Sequence, residues 1–532
     1  MTDVRTAESF PSRRELLRYG ALGGAALLGG AALTACGGVQ PGKSEPGAGK
    51  EKLRYGAPKR GGVLRHGMTG GSFSDTLDPA KGMNALDTAR AGALFDNVWS
   101  PDADYRIQKW LAEEYSSNAT ADVWTVRLRK GVEFHNGKTL TADDLIHTIR
   151  RTLDPSIASP YAGSLAMIDP KGLRKLDDRT VRISLTSGFV PLPEAMSTFV
   201  YVVPVDFDPH RPVGTGPFKY QSFQPGRQSV FTRFENYWRP GHPYVDELHI
   251  IDFADDTSRL NALKTGQIHI VDGVPYPLAA TLSGQTGIRV VKSPKAAIEA
   301  FGMRADVAPF DDNRVREAFR LIVDRPALIK SSVLGYATVA NDLFAWQDPA
   351  FDHAIPQRHQ DLDKARSLLR QAGHGSGLEV RLTTSDLLSG MISGAEVFAE
   401  QAKAAGVTVH VDKVDPGTFF GSQGLNFPFA ANIPSTGNIL ISATYTDGPG
   451  STANSTHFHD AEYDSLFKQA IRQTDDARRT ELIHRMQEIQ FERGTFIIPA
   501  YVDILDASRG VSGAEPEVGG MPYYRYGNLW LA

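Results

Sequence analysis

The chain of 532 residues is too long for one hydrophobic core, so we expect two or three domains. Hydrophobic residues make up 41% and charged residues 22%, which is ordinary for a soluble globular protein. The net charge of −4 gives no reason to expect a nucleic-acid partner, and a single cysteine excludes an intrachain disulfide and a cysteine-based zinc site.

The first 36 residues are typical of a targeting segment. The pair Arg13-Arg14 precedes an uncharged stretch, 19–35, which is rich in Ala, Gly and Leu and leads directly to Cys36. This order resembles a bacterial twin-arginine signal with a lipobox, in which the thiol of Cys36 accepts a diacylglycerol. A short transmembrane helix is the alternative, but 17 residues lie at the bottom of the membrane-spanning range. We therefore expect export, by the twin-arginine or the general route, and a lipid anchor on the outer face of the cytoplasmic membrane.

Residues 37–60 are rich in Gly, Pro, Lys and Glu, a composition that predicts a flexible tether. From there on, predicted strands and helices alternate. A helix is expected to start at Thr141, because Thr-Ala-Asp-Asp matches a capping pattern, and another is expected to stop at Gly266. Period-two alternation or β-rich composition predicts strands over 62–66, 124–128, 181–185 and 244–253.

The second half repeats this α/β character. Strands are predicted over 378–382 and 407–411, separated by a helix of about one and a half dozen residues. This β-α-β order favours parallel pairing through a right-handed crossover. Amphipathic patterns predict further helices near 363–372 and 476–491. The chain is thus expected to form two α/β lobes.

Signatures of catalysis or of metal binding are weak. The stretch 131–139 looks like a phosphate-binding loop, but five residues instead of four separate its glycines, so a turn is the better interpretation. His457 and His459 could share one face of a strand and bind a metal. Two partly solvated loop histidines are favoured instead, since no third ligand has suitable spacing.

Several segments together identify a family. The longest is 110–144, which runs from Trp-Leu-Ala-Glu-Glu through Arg-Lys-Gly-Val-Glu-Phe-His-Asn-Gly to Leu-Thr-Ala-Asp-Asp. Shorter segments are 61–64, 77–80, 213–218, 236–238, 313–319, 363–369 and 463–466. In this order they resemble the family-5 extracellular solute-binding proteins, the oligopeptide-, dipeptide- and nickel-binding lipoproteins of ABC importers.

The resemblance implies a periplasmic-binding-protein type II-like α/β fold with two lobes and an inserted third subdomain. Lobe I would combine 61–100, 205–272 and 498–532, the inserted subdomain would be 101–204, and lobe II would be 273–497. Two or so connecting strands would form a hinge. Ligand would shift the lobes toward a closed form that the permease subunits recognise.

The resemblance also suggests ligand-binding residues. The family lines its cleft from segments where Asp78, Met83, Tyr161 and Tyr201 fall in this chain. A further family segment is usually written Trp-Gly-Ala-Asp-Tyr-Pro-Asp-Pro. Over 441–448 this chain has Ile-Ser-Ala-Thr-Tyr-Thr-Asp-Gly instead.

In that segment Tyr445 and Asp447 are retained, while Ile441 replaces the tryptophan and Thr444 replaces the first aspartate. In peptide-binding members that aspartate holds the α-amino group of the ligand. A threonine hydroxyl cannot neutralise an ammonium. The predicted ligand is therefore a solute other than an ordinary peptide with a free amino terminus.

The resemblance as a whole implies a monomeric, non-enzymatic lipoprotein that needs no cofactor. It would capture a peptide or another small polar solute between its lobes and deliver it to a membrane permease. A metal-chelate receptor of the nickel type is the alternative within the class. An exported hydrolase is the alternative from another class, although the sequence shows no nucleophile–base pair or metal trio for one.

Overall fold

The computed structural model describes residues 56–532 apart from 83, 103, 198–199, 420–423, 452, 515 and 517–524. The predicted lipobox cysteine Cys36 and nearly all of the tether lie outside the described residues. The described residues belong to one compact unit. Of the helices in the described part, none combines the length and the apolar composition needed to cross a membrane.

Strands occur along the whole described chain. In chain order they are β1 (Val63–Thr69), β2 (Trp99–Pro101), β3 (Ile107–Lys109), β4 (Ala112–Ser117), β5 (Val123–Leu128), β6 (Arg174–Asp177), β7 (Thr180–Ser184), β8 (Phe218–Gln224), β9 (Gln228–Arg233), β10 (Glu247–Phe253), β11 (Ile270–Val271), β12 (Ile288–Met303), β13 (Ala337–Val339), β14 (Leu378–Thr384), β15 (Val407–Lys413), β16 (Phe429–Asn432), β17 (Phe496–Arg509), β18 (Val511–Ser512) and β19 (Trp530–Leu531).

Helices alternate with these strands. They are α1 (Ala85–Leu94), α2 (Ala142–Leu153), α3 (Leu192–Ala195), α4 (Asp256–Thr265), α5 (Tyr276–Ser283), α6 (Asn313–Ile322), α7 (Arg325–Ser332), α8 (Leu362–Gln371), α9 (Met391–Lys403), α10 (Pro416–Phe419), α11 (Ile439–Tyr445), α12 (Ala461–Ala470) and α13 (Asp476–Arg493). Short 3-10 helices cover Ala162–Leu165 and Tyr526–Asn528.

The local signals in the sequence are confirmed where they rest on caps and turns. The backbone N–H and the hydroxyl of Thr141 both donate to the carboxylate of Asp144, at 2.9 and 2.8 Å, and α2 begins at the next residue. Gly266 ends α4 with φ at +76°. Strands β14 and β15 pair in parallel, as the β-α-β order predicted. The helix between them, α9, is shorter than expected at 13 residues, because its N-cap, Gly390, has φ at +96°.

The stretch that looked like a phosphate loop is a turn. Lys138 accepts a hydrogen bond at its carbonyl from the N–H of Phe134, 2.8 Å away, and the N–H of Gly137 donates back to the carbonyl of Phe134. The ammonium of Lys138 lies 2.7 Å from Asp144. The lysine therefore belongs to the cap of α2.

One sheet runs through the molecule. Its strand order is β15-β14-β16-β12-β17-β11-β1-β10-β9-β8, with β13 added on β17. The long antiparallel pair β12 and β17 connects the two ends, pairing from Ile288 with Arg509 to Gly302 with Phe496. A register shift interrupts this pair between Ser293 and Ala297. The first residues of β12 pair with the last residues of β17, which also pair with β11. The last residues of β12 pair with β16.

Separate hydrophobic clusters lie at the two ends of this sheet. One is built on β1, β9 and β10, and another packs β12 and β16 against α6 and α9. A third cluster spans the predicted inserted subdomain and 439–489, and there the N–H of Val190 donates to the carbonyl of Ile471 at 2.8 Å. Residues of 101–204 are thus packed against the later half of the chain. The exact lobe boundaries stay a prediction.

Candidate functional site

Three of the predicted ligand-binding residues are tyrosines that lie near one another although they come from different parts of the chain. Tyr161 precedes the 3-10 helix Ala162–Leu165, and Tyr201 forms a bridge with Asn97. Tyr445 is the last residue of α11, and its side chain remains 41% exposed. The fold therefore groups tyrosines from 101–204 and from the later half of the chain, and we call this group the tyrosine wall.

Electrostatic coupling links these three hydroxyls. Burial, with smaller contributions from Asp87 and Tyr445, raises the pKa of Tyr161 to about 12. Burial also raises the pKa of Tyr201, and Tyr161 adds to that rise. The Tyr161 hydroxyl donates to the carbonyl of Gly82. At neutral pH all three side chains are uncharged, so the wall offers aromatic surface and neutral hydroxyls.

Tyr445 meets a residue that the sequence analysis did not identify. Burial raises the pKa of Tyr445, and a hydrogen bond with Ser164 opposes that rise. Ser164 lies in the 3-10 helix, and its hydroxyl also donates to the carbonyl of Tyr161 at 2.7 Å. Only the tertiary fold brings residues 164 and 445 together, and nothing in the local sequence signals the pairing.

Asp78 lies beside this region, but its carboxylate is already paired with Arg151 of the same chain. Its side chain is 3% exposed, and both its oxygens accept hydrogen bonds from the guanidinium of Arg151, at 2.8 and 2.5 Å. One oxygen also accepts from the N–H of Ala80 at 3.0 Å. This bidentate ion pair fixes the loop after β1 on α2.

Asp447 lies under α11. It is 3% exposed and accepts hydrogen bonds from Tyr463, Gln490 and Thr446, at 2.9, 2.7 and 3.1 Å. Burial raises the pKa of Asp447 to about 6, although the hydrogen bonds with Gln490, Tyr463 and Thr446 oppose the rise. The carboxylate therefore ties the end of α11 to α12 and α13.

The residues that depart from the family segment lie on α11 itself. The hydroxyl of Thr444 donates to the carbonyl of Ile441 at 2.6 Å, and its side chain is half-buried. The Ile441 side chain packs against the cluster shared by the inserted subdomain and 439–489. This position holds aliphatic core rather than an aromatic wall.

The remaining predicted residues do not join this group. Met83 lies outside the described residues. His457 has φ at +50° and pairs with Asp306 at 3.0 Å, while His459 pairs with Asp464 at 2.9 Å. Across the described residues, no group of three or more His, Cys, Asp or Glu side chains is arranged to hold a metal ion.

Comparisons with known proteins give consistent results. The family profile "Bacterial extracellular solute-binding proteins, family 5 Middle" matches residues 106–450. The glutathione-binding protein GsiB of Escherichia coli (strain K12) is 26% identical over 454 residues, covering 80% of this chain and 87% of that protein.

Solved structures show the same fold. The binding protein AgaA from A. tumefaciens R10, solved with agropinic acid, has a TM-score of 0.76 at 24% identity, covering 88% of this chain and 99% of that one. DppA from Helicobacter pylori, solved with the peptide STSA, has a TM-score of 0.76 at 21% identity, covering 89% and 98%. NikZ from Campylobacter jejuni, solved with Ni(L-His), has a TM-score of 0.76 at 19% identity, covering 88% and 99%. The predicted type II-like binding-protein fold is thereby confirmed.

Proposed function

Since this chain belongs to the bacterial extracellular solute-binding proteins of family 5, we propose that it binds a polar solute without a free α-ammonium group against the wall formed by Tyr161, Tyr201 and Tyr445. Its general role is that of the substrate-binding component of an ABC importer. Members of this family act outside the cytoplasmic membrane. We further propose that the protein works as a monomer and without catalysis.

The ligand proposal rests on one observation: the carboxylate and hydroxyl oxygens near the tyrosine wall already have hydrogen-bond partners within the protein. An ammonium buried between lobes needs an opposite charge close by, and leaving it unpaired costs several kcal/mol. Asp78 is held bidentately by Arg151, and Asp447 accepts three hydrogen bonds beneath α11. The hydroxyl of Thr444 is used by the carbonyl of Ile441.

Relatives bind solutes of more than one kind. AgaA was solved with agropinic acid, DppA from Helicobacter pylori with a peptide, and GsiB is a glutathione-binding protein. The committed carboxylates of this chain favour N-blocked peptides, sugar-like solutes and other polar metabolites over free-amine peptides. The arrangement of His457 and His459 on separate carboxylates offers no support for a nickel-chelate receptor.

Titration calorimetry with matched peptides tests the proposal. We expect N-acetylated dipeptides to bind at least about tenfold more tightly than the same dipeptides with free amines, because only the latter bring an unpaired charge. Thr444→Asp should improve the binding of the free-amine series, and Thr444→Asn, of similar size but uncharged, should not. Micromolar binding of several free-amine dipeptides to the unmodified protein would contradict the proposal.

We also propose that Cys36 carries the lipid anchor. The proposal is supported by its position as the only thiol and as the last residue of the lipobox. Cys36→Ser should release the processed protein from the membrane fraction of expressing cells. Retention of the processed variant in membranes would argue against lipid anchoring.

A further inference from the structure

A cavity of about 280 Å³ adjoins the tyrosine wall at Tyr201 but not at Tyr161 or Tyr445. It is lined by α1, by segments of the predicted inserted subdomain and by the residues around the second 3-10 helix, Tyr526–Asn528. Among the described residues that line it, none comes from 273–497. An occupant would therefore be held by lobe I and the inserted subdomain alone, and it would approach the tyrosine wall only at Tyr201.

Two arginines line this cavity, and among the described residues no carboxylate is in contact with either of them. Arg239 donates to the side-chain oxygen of Asn528 at 3.2 Å. Arg525 donates to the hydroxyl of Ser100 at 3.2 Å and to the carbonyl of Pro101. Within the described residues neither guanidinium forms an ion pair. Both donate only to neutral oxygens, so their positive charges are not neutralised by a carboxylate in contact. Guanidinium groups are suited to bind carboxylates because their N–H donors form a planar fork.

Trp110 holds both arginines in place. The guanidinium carbons of Arg239 and Arg525 lie 4.9 and 5.3 Å from the centre of its indole ring. The indole N–H donates to Asp96 at 2.7 Å, which fixes the orientation of the ring. The two charges are thus ordered before any ligand arrives, which lowers the entropic cost of binding.

The cavity also contains acids and apolar surface, which limit what fits. Asp96 is saturated by four side-chain donors, and Asp102 accepts from two backbone N–H groups of its own turn and from Gln108. Their negative charges disfavour a dianion such as phosphate more than a single carboxylate. Phe95, Tyr201 and Leu529 supply apolar wall for an organic body.

We propose that this cavity is a second binding site, for a small organic monocarboxylate whose carboxylate pairs with Arg239 and Arg525. The volume, near the lower end of ligand pockets, suits a small metabolite rather than a peptide. The site shares Tyr201 with the wall proposed for the transported solute, but it uses neither Tyr161 nor Tyr445.

Direct titration of the purified protein tests the site. The probes are benzoate and the larger hippurate, with benzamide as a neutral molecule of the same shape as benzoate and inorganic phosphate as a dianion. We expect saturable binding of at least one carboxylate, at least about tenfold weaker binding of benzamide, and weaker binding of phosphate than of the carboxylate. Failure of both carboxylates to saturate, equal binding of benzamide, or preference for phosphate would each overturn the proposal.

Charge variants locate the binding site. Arg239→Gln and Arg525→Gln should each weaken the carboxylate about tenfold or more, because each removes a charge-assisted hydrogen bond. Arg211→Gln, at an exposed arginine outside the cavity, is the matched control and should have no effect. Tyr445→Ala should also leave the carboxylate affinity unchanged. A loss of affinity in Tyr445→Ala would place the anion between the lobes and overturn the assignment.

A variant that fills the cavity without changing charge separates binding from folding. A Cβ built on Gly92 of α1 has no atom within 4 Å, and Gly92 lines the cavity. Gly92→Leu should therefore fold, since glycine inside a helix is itself unfavourable by about 1 kcal/mol relative to alanine. It should abolish carboxylate binding. Unchanged binding by a stably folded Gly92→Leu protein would overturn the proposal.

Discussion

Two carboxylates are deeply buried in different parts of this protein, and their surroundings are opposite in kind. Asp96, shortly after α1, is 4% exposed and accepts hydrogen bonds from four side chains. The donors are Trp110, Trp238, Thr215 and Tyr237, at 2.7, 3.0, 3.0 and 3.1 Å. Glu299, on β12, is 2% exposed, and neither of its carboxylate oxygens has a hydrogen-bond partner among the described residues.

The difference shows that burial alone does not decide whether an acid is charged. Burial raises the pKa of both groups, but at Asp96 the four donors oppose the rise. At Glu299 burial acts unopposed and raises the pKa to about 8. Hydrogen bonds to an acid favour its ionised form, so Asp96 can act as an anionic junction for two tryptophans, while Glu299 holds a proton at neutral pH.

Removing the carboxylate of Asp96 should have the largest effect on the stability of the fold. Asp96→Ala leaves four buried donors without their partner, so we expect it to lower the free energy of unfolding by about 5 kcal/mol, measured by urea denaturation. Asp96→Asn keeps one acceptor oxygen and should lower it less. Asp386→Ala, at an exposed loop acid, is the control and should change it little. A loss below about 1 kcal/mol in Asp96→Ala would mean that the four hydrogen bonds do not stabilise the fold.

Replacing Glu299 by a neutral residue should have a smaller effect on the free energy of unfolding, and that effect should depend on pH. Because the pKa of Glu299 is higher in the folded protein, its stabilising contribution is complete below about pH 4.5 and is lost as the pH rises to about 8. Glu299→Gln mimics the protonated form and removes this dependence. We expect the variant to gain on the order of 3 kcal/mol relative to the unmodified protein between pH 5 and pH 8. Parallel stability profiles of the two proteins over that range would show that Glu299 does not titrate anomalously.

Periodicity and capping residues predicted much of this fold because they act over a few neighbouring residues. Thr141, Gly266 and the β-α-β order around α9 each produced the expected element. The tyrosine wall was only partly predictable. Tyr161, Tyr201 and Tyr445 could be named from a family pattern, but Ser164 could not, because residues 164 and 445 meet only in three dimensions.

The sequence by itself determined the α/β class, the turn at 131–139 and the absence of an aromatic residue and a carboxylate at 441 and 444. The tertiary structure alone decided which charges are available to a ligand. It committed Asp78 to Arg151 and Asp447 to Tyr463 and Gln490, and it left Arg239 beside a cavity. The physical reason is that the free energy of a charged group depends on its burial and its partners, and distant segments supply both.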